Sequence, residues 1–327
     1  MASDAIVVGS GVIGLTTAVL LAERGARVEV WTRETAAQTT SAVAGGLWWP
    51  YRIEPADAVA RWAVASLAVM TELARRPEET GVRRVDGTEA GTSASELGGW
   101  ARQVPGLRDA TPEETPRGWD RAVRARLPLI DMPAHLGYLQ RRLGAAGGTV
   151  TLRPVNSLAE AGRAAPVVVN CSGLGAGHLA ADPHVHPVQG QLVVVENPGV
   201  TEWFGAAADG RATDTLYLFP QPYGLVLGGT ARPHVWDRVP SPAVAQTLIA
   251  RCARVHPALT ESRVLAHRVG LRPARHRVRL EAGRLPGGAL VVHNYGHGGA
   301  GVTVSWGCAQ EAVALALKGF KGFKGGG

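Results

Sequence analysis

Apolar positions open the chain as a short unbroken run, Ala5–Val8, which gives way at once to Gly9-Ser-Gly-Val-Ile-Gly14. A run this short and this apolar predicts a buried strand. Beyond the glycines, Leu15, Val19 and Leu20, with the small Ala18 and Ala22 among them, recur at helical spacing until Gly25. Glycine suits the left-handed position just past a helix end. Val28–Trp31 then predicts a second strand. Strand, glycine turn, helix, strand is the opening of a βαβ unit.

The pattern then loosens. From Arg52 to about Pro128 the signals are mixed: an Ala-rich helix over roughly Ala56–Arg75, then a polar stretch rich in Gly, Glu and Pro. A helix over about Ala134–Ala146 leads to a strand at Thr149–Arg153, and Val167–Asn170 reads as a buried strand ending in Cys171-Ser-Gly-Leu-Gly175. From about Val188 the hydrophobic period moves towards two. Gln191–Val195, Leu216–Phe219 and Leu225–Leu227 therefore predict antiparallel strands. A last strand, Ala289–His293, runs into Asn294-Tyr-Gly-His-Gly-Gly-Ala-Gly301 and a helix over about Val302–Leu317. The tail, 318–327, is a short low-complexity repeat of Lys, Gly and Phe with no function assigned to it. Rossmann-type pieces thus stand at both ends and in the middle, with antiparallel sheet inserted between them.

Composition narrows the classes. The chain has 327 residues, 46% hydrophobic and 19% charged, enough to bury a core without a disulfide or metal staple. Cys171, Cys252 and Cys308 are widely and irregularly spaced, so no zinc site is expected, and their scarcity fits a reducing cytoplasm. The start carries an acidic residue and enters a strand directly, which argues against a signal peptide. Apolar stretches are interrupted well short of a membrane span. The net charge of +7 comes from scattered arginines without basic-aromatic clustering, so no nucleic-acid partner is expected. A homodimer is left open.

The first glycine turn carries specific chemistry. Following a strand and opening a helix, Gly9 permits the tight turn, Gly11 lets a pyrophosphate approach the backbone, and Gly14 lets the helix pack on the strand. The exposed N–H groups and the helix dipole suit a diphosphate. At the end of the second strand the ribose partner is ambiguous: Glu34 would hold ribose hydroxyls, whereas Arg33 would suit a 2′-phosphate. The turn argues for a dinucleotide without choosing which one. A second Gly-rich loop opening a helix, around Gly298–Gly301, does not belong to a simple nicotinamide-binding half. It suits a flavin, because a helix N-terminus favours negative charge at the N1 and C2=O edge of the ring.

At these segments the sequence resembles the D-amino-acid oxidase family. Gly46-Leu-Trp-Trp-Pro-Tyr51, Val169-Asn-Cys-Ser-Gly173, the run from Gly270 to Glu281 and the run from His293 to Cys308 match it in order and spacing, and the likeness extends to about Leu317. The resemblance implies a Rossmann-type FAD-binding domain (1–51, 130–186 and 285–317) interleaved with an α+β substrate domain (52–129 and 187–284) containing a mixed, largely antiparallel sheet. It implies FAD contacts from Gly9, Gly11, Val12, Ile13, Gly14 and Arg33; from Thr39, Thr40, Ser41, Gly46 and Leu47; from Val155 and Ser172; and from Gly298, Gly299, Gly301, Val302 and Thr303.

It implies a reaction as well. Neutral D-amino acids would lose a hydride from the α-carbon to flavin N5, and oxygen would take the electrons, giving a 2-oxo acid, ammonia and hydrogen peroxide. An amino-acid carboxylate calls for a bidentate cation, which in practice means Arg. Arg279 is the best match to the family's anchor; Arg272, Arg275 and Arg277 lie in the same segment, and a period of two puts Arg275, Arg277 and Arg279 on one face. Tyr217 resembles the carboxylate-binding tyrosine, the Gly299 carbonyl would accept from the amine, and Trp49 and Tyr51 would line the side-chain pocket. The family's second lid tyrosine falls near Thr213, and Ala300 stands where a Tyr often follows the paired glycines. A D-aspartate or glycine/sarcosine-type oxidase is the alternative, favoured if a cation such as Arg211 or Arg232 enters the pocket. His297, flanked by glycine, reads as structural rather than as a base.

Overall fold

Ala5–Val8 is fully buried because it is sandwiched in a sheet. In the computed structural model, which describes residues 3–206 and 215–320, it pairs in parallel with Val28–Thr32 on one side and Val167–Asn170 on the other. Thr149–Leu152 and Leu290–His297 extend this parallel region at its two ends. Strands buried on both faces read as unbroken apolar runs, which is why Ala5–Val8 and Val167–Asn170 were legible; Thr149–Leu152, at the edge, is largely exposed.

The crossover into the second half of the sheet is a single long strand, Val264–Arg284. Its C-terminal part pairs antiparallel with Leu290–His297, and its N-terminal part pairs antiparallel with His186–Val195. Gly224–Gly228, Leu216–Gln221, Trp203–Ala206, Val82–Ala90, Ala122–Ile130 and Arg108–Asp109 follow in that order across the sheet. Among these only Val82–Ala90 and Trp203–Ala206 run parallel. Among the described residues all 14 strands belong to one sheet, a mixed α/β architecture.

The helix Val12–Ala22 is buried at every position except Ile13. It packs against Gly301–Leu317, which in turn packs against Ala56–Leu73. Trp62 Nε1 donates to Glu311 at 2.6 Å across that second contact. The Met132–Ala145 helix begins where the Asp131 side chain accepts from the Ala134 N–H at 3.1 Å. Such a cap is worth about 1 kcal/mol.

The region 52–128, read from sequence as mixed, contains two nine-residue strands, Val82–Ala90 and Ala122–Ile130. The first is charged and only partly buried, so neither periodicity test catches it. The last strand runs on to His297 rather than stopping at His293, because Asn294, Tyr295 and His297 are still paired with Val264–Arg284. Arg211 and Thr213, and residues 321–327 of the tail, lie outside the described residues. Among those described, no helix is long and apolar enough to cross a membrane, and no three His, Cys, Asp or Glu side chains group as metal ligands.

Candidate active site

The first glycine turn is built as its spacing requires. Gly9 has φ +111°, and a Cβ there would overlap the Cys171 carbonyl; a Cβ on Gly14 would overlap the Gly9 carbonyl. Gly14 therefore lets the helix sit on the strand and does not itself face the ligand space. Gly9, Gly11, Val12 and Ile13 do, at one end of a cavity of about 590 Å³. Ser41 accepts from the Val12 N–H at 3.0 Å, tying the Thr39–Ser41 segment to the start of the helix.

Arg33 and Glu34 both reach the cavity wall, where Val155 joins them. The Ser10 and Thr32 hydroxyls hold the Glu34 backbone carbonyl at 3.2 and 2.8 Å. Arg153, which sequence reasoning missed, also lines the wall, with its guanidinium 3.7 Å from the centre of the Trp31 ring. It stands at the carboxyl end of a parallel strand, where such sheets bind ligands, and that rule would have found it.

The second glycine turn lines the same cavity, with Gly301 beside Ile13. Gly298, Gly299, Gly301 and Val302 line it, together with Thr39, Thr40, Ser41, Gly46, Leu47 and Ser172. Thr303 does not: it is 2% exposed, and its hydroxyl donates to the Trp49 carbonyl at 3.0 Å and accepts from the Trp49 N–H at 3.2 Å. Its role here is to seat Trp49. Three residues of the wall, Trp31, Asn294 and His297, each keep a buried polar side-chain atom without a protein partner. Such atoms are costly unless a ligand meets them. A glycine-lined diphosphate cradle and unmet polar atoms in one cavity fit a large polar cofactor.

Of the arginines in the segment 272–279, Arg272 lines the cavity. Its guanidinium occupies the place of a side chain on Gly190, in the neighbouring strand, so any side chain there would displace it. Arg272 Nη1 donates to the Thr230 carbonyl at 2.8 Å, and no carboxylate of the described residues bonds it. Tyr217 stacks on Phe219 at 4.5 Å, with its hydroxyl over Gly228 and Gly229. Burial pushes that hydroxyl's pKa up, and the facing Arg272 pulls it back only in part. The Arg272 stem and the Tyr51 ring both lie beside Gly299. Trp49 lines the same wall, edge-on to Trp100 at 5.0 Å.

Arg279 is placed elsewhere. It does not line the cavity; its Nη1 donates to Tyr295 Oη and its Nε to Glu281 Oε1, both at 2.7 Å. Arg279 was expected as anchor from the segment's likeness to the family, with a period of two putting Arg275, Arg277 and Arg279 on one face. That period breaks, because the pairing with Leu290–His297 shifts register between Ala274 and Arg279. Arg272 lies before the break and faces the cavity; Arg275 and Arg279 turn to Asp182 and Tyr295.

His297 is not a base in waiting. Burial drives its pKa down to about 3. His135 and His293 are each lowered to about 4, by burial first, with the Arg279 charge adding to it at His293. In the unfolded chain these rings titrate near 6.5. The unfolded state therefore takes up protons first, so stability is full above about pH 6.5 and is lost as pH falls towards 4. The melting temperature is expected to fall steadily from pH 7 to 4.5. A melting temperature flat over that range would contradict the assignment of these rings as buried and neutral.

The sequence profile of an FAD-dependent oxidoreductase family matches residues 4–315. A D-amino-acid oxidase of Streptomyces coelicolor is 59% identical over 314 residues, covering 96% of each chain. A human D-aspartate oxidase is 32% identical, over 94% of this chain and 93% of its own. Among solved structures, glycine oxidase from Geobacillus kaustophilus superposes with a TM-score of 0.80 over 98% of this chain and 96% of its own. At 21% identity that likeness carries the fold alone.

Proposed function

The chain belongs to the D-amino-acid oxidase family of FAD-dependent oxidoreductases, and on that premise we propose that it oxidises neutral D-amino acids with oxygen and water to 2-oxo acids, ammonia and hydrogen peroxide. The observation that carries this reading is the convergence of Arg272, Tyr217 and the Gly299 backbone at one wall of the cavity that both glycine turns line. Arg272 binds the substrate carboxylate, and the Tyr217 hydroxyl donates a second hydrogen bond to it. The Gly299 carbonyl accepts from the neutral amine. Three such contacts fix the α-carbon on one face, and orientation of this kind removes a large part of a barrier. FAD, when bound, supplies the two-electron acceptor that takes the α-hydrogen as hydride and is reoxidised by oxygen.

Trp49 and Tyr51 form an apolar wall for the substrate side chain. A second carboxylate against it is costly unless a cation meets it. One observation favours the D-aspartate alternative: Arg238 also lines the cavity and pairs with no carboxylate of the described residues. Purified protein is expected to release FAD on denaturation. Anaerobic titration is expected to bleach the flavin with D-alanine and D-phenylalanine far more readily than with D-aspartate. If D-aspartate reacts best and Arg238→Ala removes that advantage, the enzyme acts on acidic substrates. Release of no flavin from folded, active protein would remove the oxidase reading altogether.

A further inference from the structure

Ala274 faces His297 and Arg279 faces Tyr295, so residues 275–278 bulge opposite the single residue Gly296. Bulges of this kind re-aim side chains beside functional sites. Arg272 stands just before this one, and the Gly298 N–H bonds the Pro273 carbonyl at 2.9 Å. The bulge thus lies next along the strand pair from the point where the carboxylate anchor's strand meets the glycine turn.

What pins the bulge is a buried carboxylate from a distant part of the chain. Asp182, 4% exposed, accepts at one oxygen, Oδ2, from Arg275 Nε at 2.9 Å and from Tyr295 Oη at 2.8 Å. Its other oxygen accepts from the His184 N–H at 3.1 Å. Tyr295 Oη accepts in turn from Arg279 Nη1 at 2.7 Å, and Glu281 holds the other side of Arg279. Burial alone would push the Asp182 carboxyl's pKa up, but these hydrogen bonds outweigh it and keep the group ionised. Two cations and two carboxylates close into a neutral network, the condition under which buried charge is tolerated.

We infer that Asp182, acting through Arg275 and Tyr295, is a positioning residue that holds the 275–278 bulge and so sets Arg272 against the Gly298–Gly299 turn. This rests on Arg272 as the carboxylate anchor. A merely stabilising network would lower the melting temperature and leave substrate binding in the folded enzyme unchanged. A positioning network weakens carboxylate binding even where the protein remains folded and loaded with FAD.

The test uses Asp182→Asn, which keeps the shape and removes the charge, and Tyr295→Phe, which removes one hydroxyl. In folded, FAD-loaded protein one measures kcat and KM for D-alanine. Beside them one measures the Kd of propionate, its unreactive carboxylate analogue, by the change in flavin absorbance. In Asp182→Asn, KM and propionate Kd are expected to rise together by on the order of ten- to a hundredfold, with a smaller change in kcat. Tyr295→Phe shifts both in the same direction and decides the matter if Asp182→Asn fails to fold. KM and Kd within about twofold of wild type in the folded variants, whatever their melting temperature, would overturn the inference. Wild-type protein that neither oxidises D-alanine nor binds propionate would instead overturn the oxidase reading, and the inference with it.

Discussion

Arg272→Met is expected to cut kcat/KM for D-alanine by about thirty- to several-thousandfold while the protein keeps its FAD. Truncating one partner of a desolvated charged contact costs about 2–5 kcal/mol, and each 1.4 kcal/mol is about tenfold. Methionine keeps most of the volume beside Gly190 and Gly299, so the loss reports the missing charge rather than a collapsed wall. FAD is retained because the two glycine turns do not depend on the guanidinium. Arg279→Met is the matched control. Its guanidinium sits in the Asp182–Tyr295–Glu281 network outside the cavity, so its loss should be at least tenfold milder than that of Arg272→Met. A larger loss at Arg279 than at Arg272 would return the anchor to Arg279.

Gly14→Ala is expected to yield protein that folds poorly and carries no FAD. A Cβ at Gly14 would overlap the Gly9 carbonyl, a backbone atom that cannot swing aside. The helix Val12–Ala22 would have to lift from Ala5–Val8, yet nearly all of that helix is buried and cannot lift locally. Overpacking of this kind typically costs about 1–3 kcal/mol or more, and here the displaced element is the diphosphate cradle itself. Gly144→Ala, in the Met132–Ala145 helix, meets open space. It should leave FAD binding unchanged and raise stability by up to about 1 kcal/mol through helix propensity. Absorbance of the bound flavin and thermal melts of the two variants, side by side, separate a general glycine effect from the specific one. FAD-loaded, normally melting Gly14→Ala would contradict the packing argument.

Local chemistry made much of this protein readable from its residues in order. The turn at Gly9–Gly14 was legible because each glycine answers a short-range steric demand, and the flanking strands because burial on both faces makes them uniformly apolar. The second turn, Gly298–Gly301, was legible as a second glycine run opening a helix, and with it the cofactor class and the family. Tyr217, Tyr51 and Trp49 reach the cavity wall as the segment matches implied. Which of the arginines lines the cavity was not legible. Four arginines share the segment 272–279, and choosing among them needs the pairing partner of every residue, which a register break alters. Nor was the bond of the Thr303 hydroxyl to the Trp49 backbone legible, since it exists only in the packed structure.

The division follows from the range of the forces. Short-range sterics and hydrophobic periodicity act between residues a few positions apart, so the linear order carries the glycine turns, the helices and the buried strands. Facing of side chains across strands depends on contacts between residues such as Asp182 and Tyr295, 113 positions apart. Those contacts exist only once the sheet has formed. The tertiary structure alone therefore decided that Arg272 enters the cavity beside Gly190, and that Arg275 and Arg279 turn instead to Asp182, Tyr295 and Glu281.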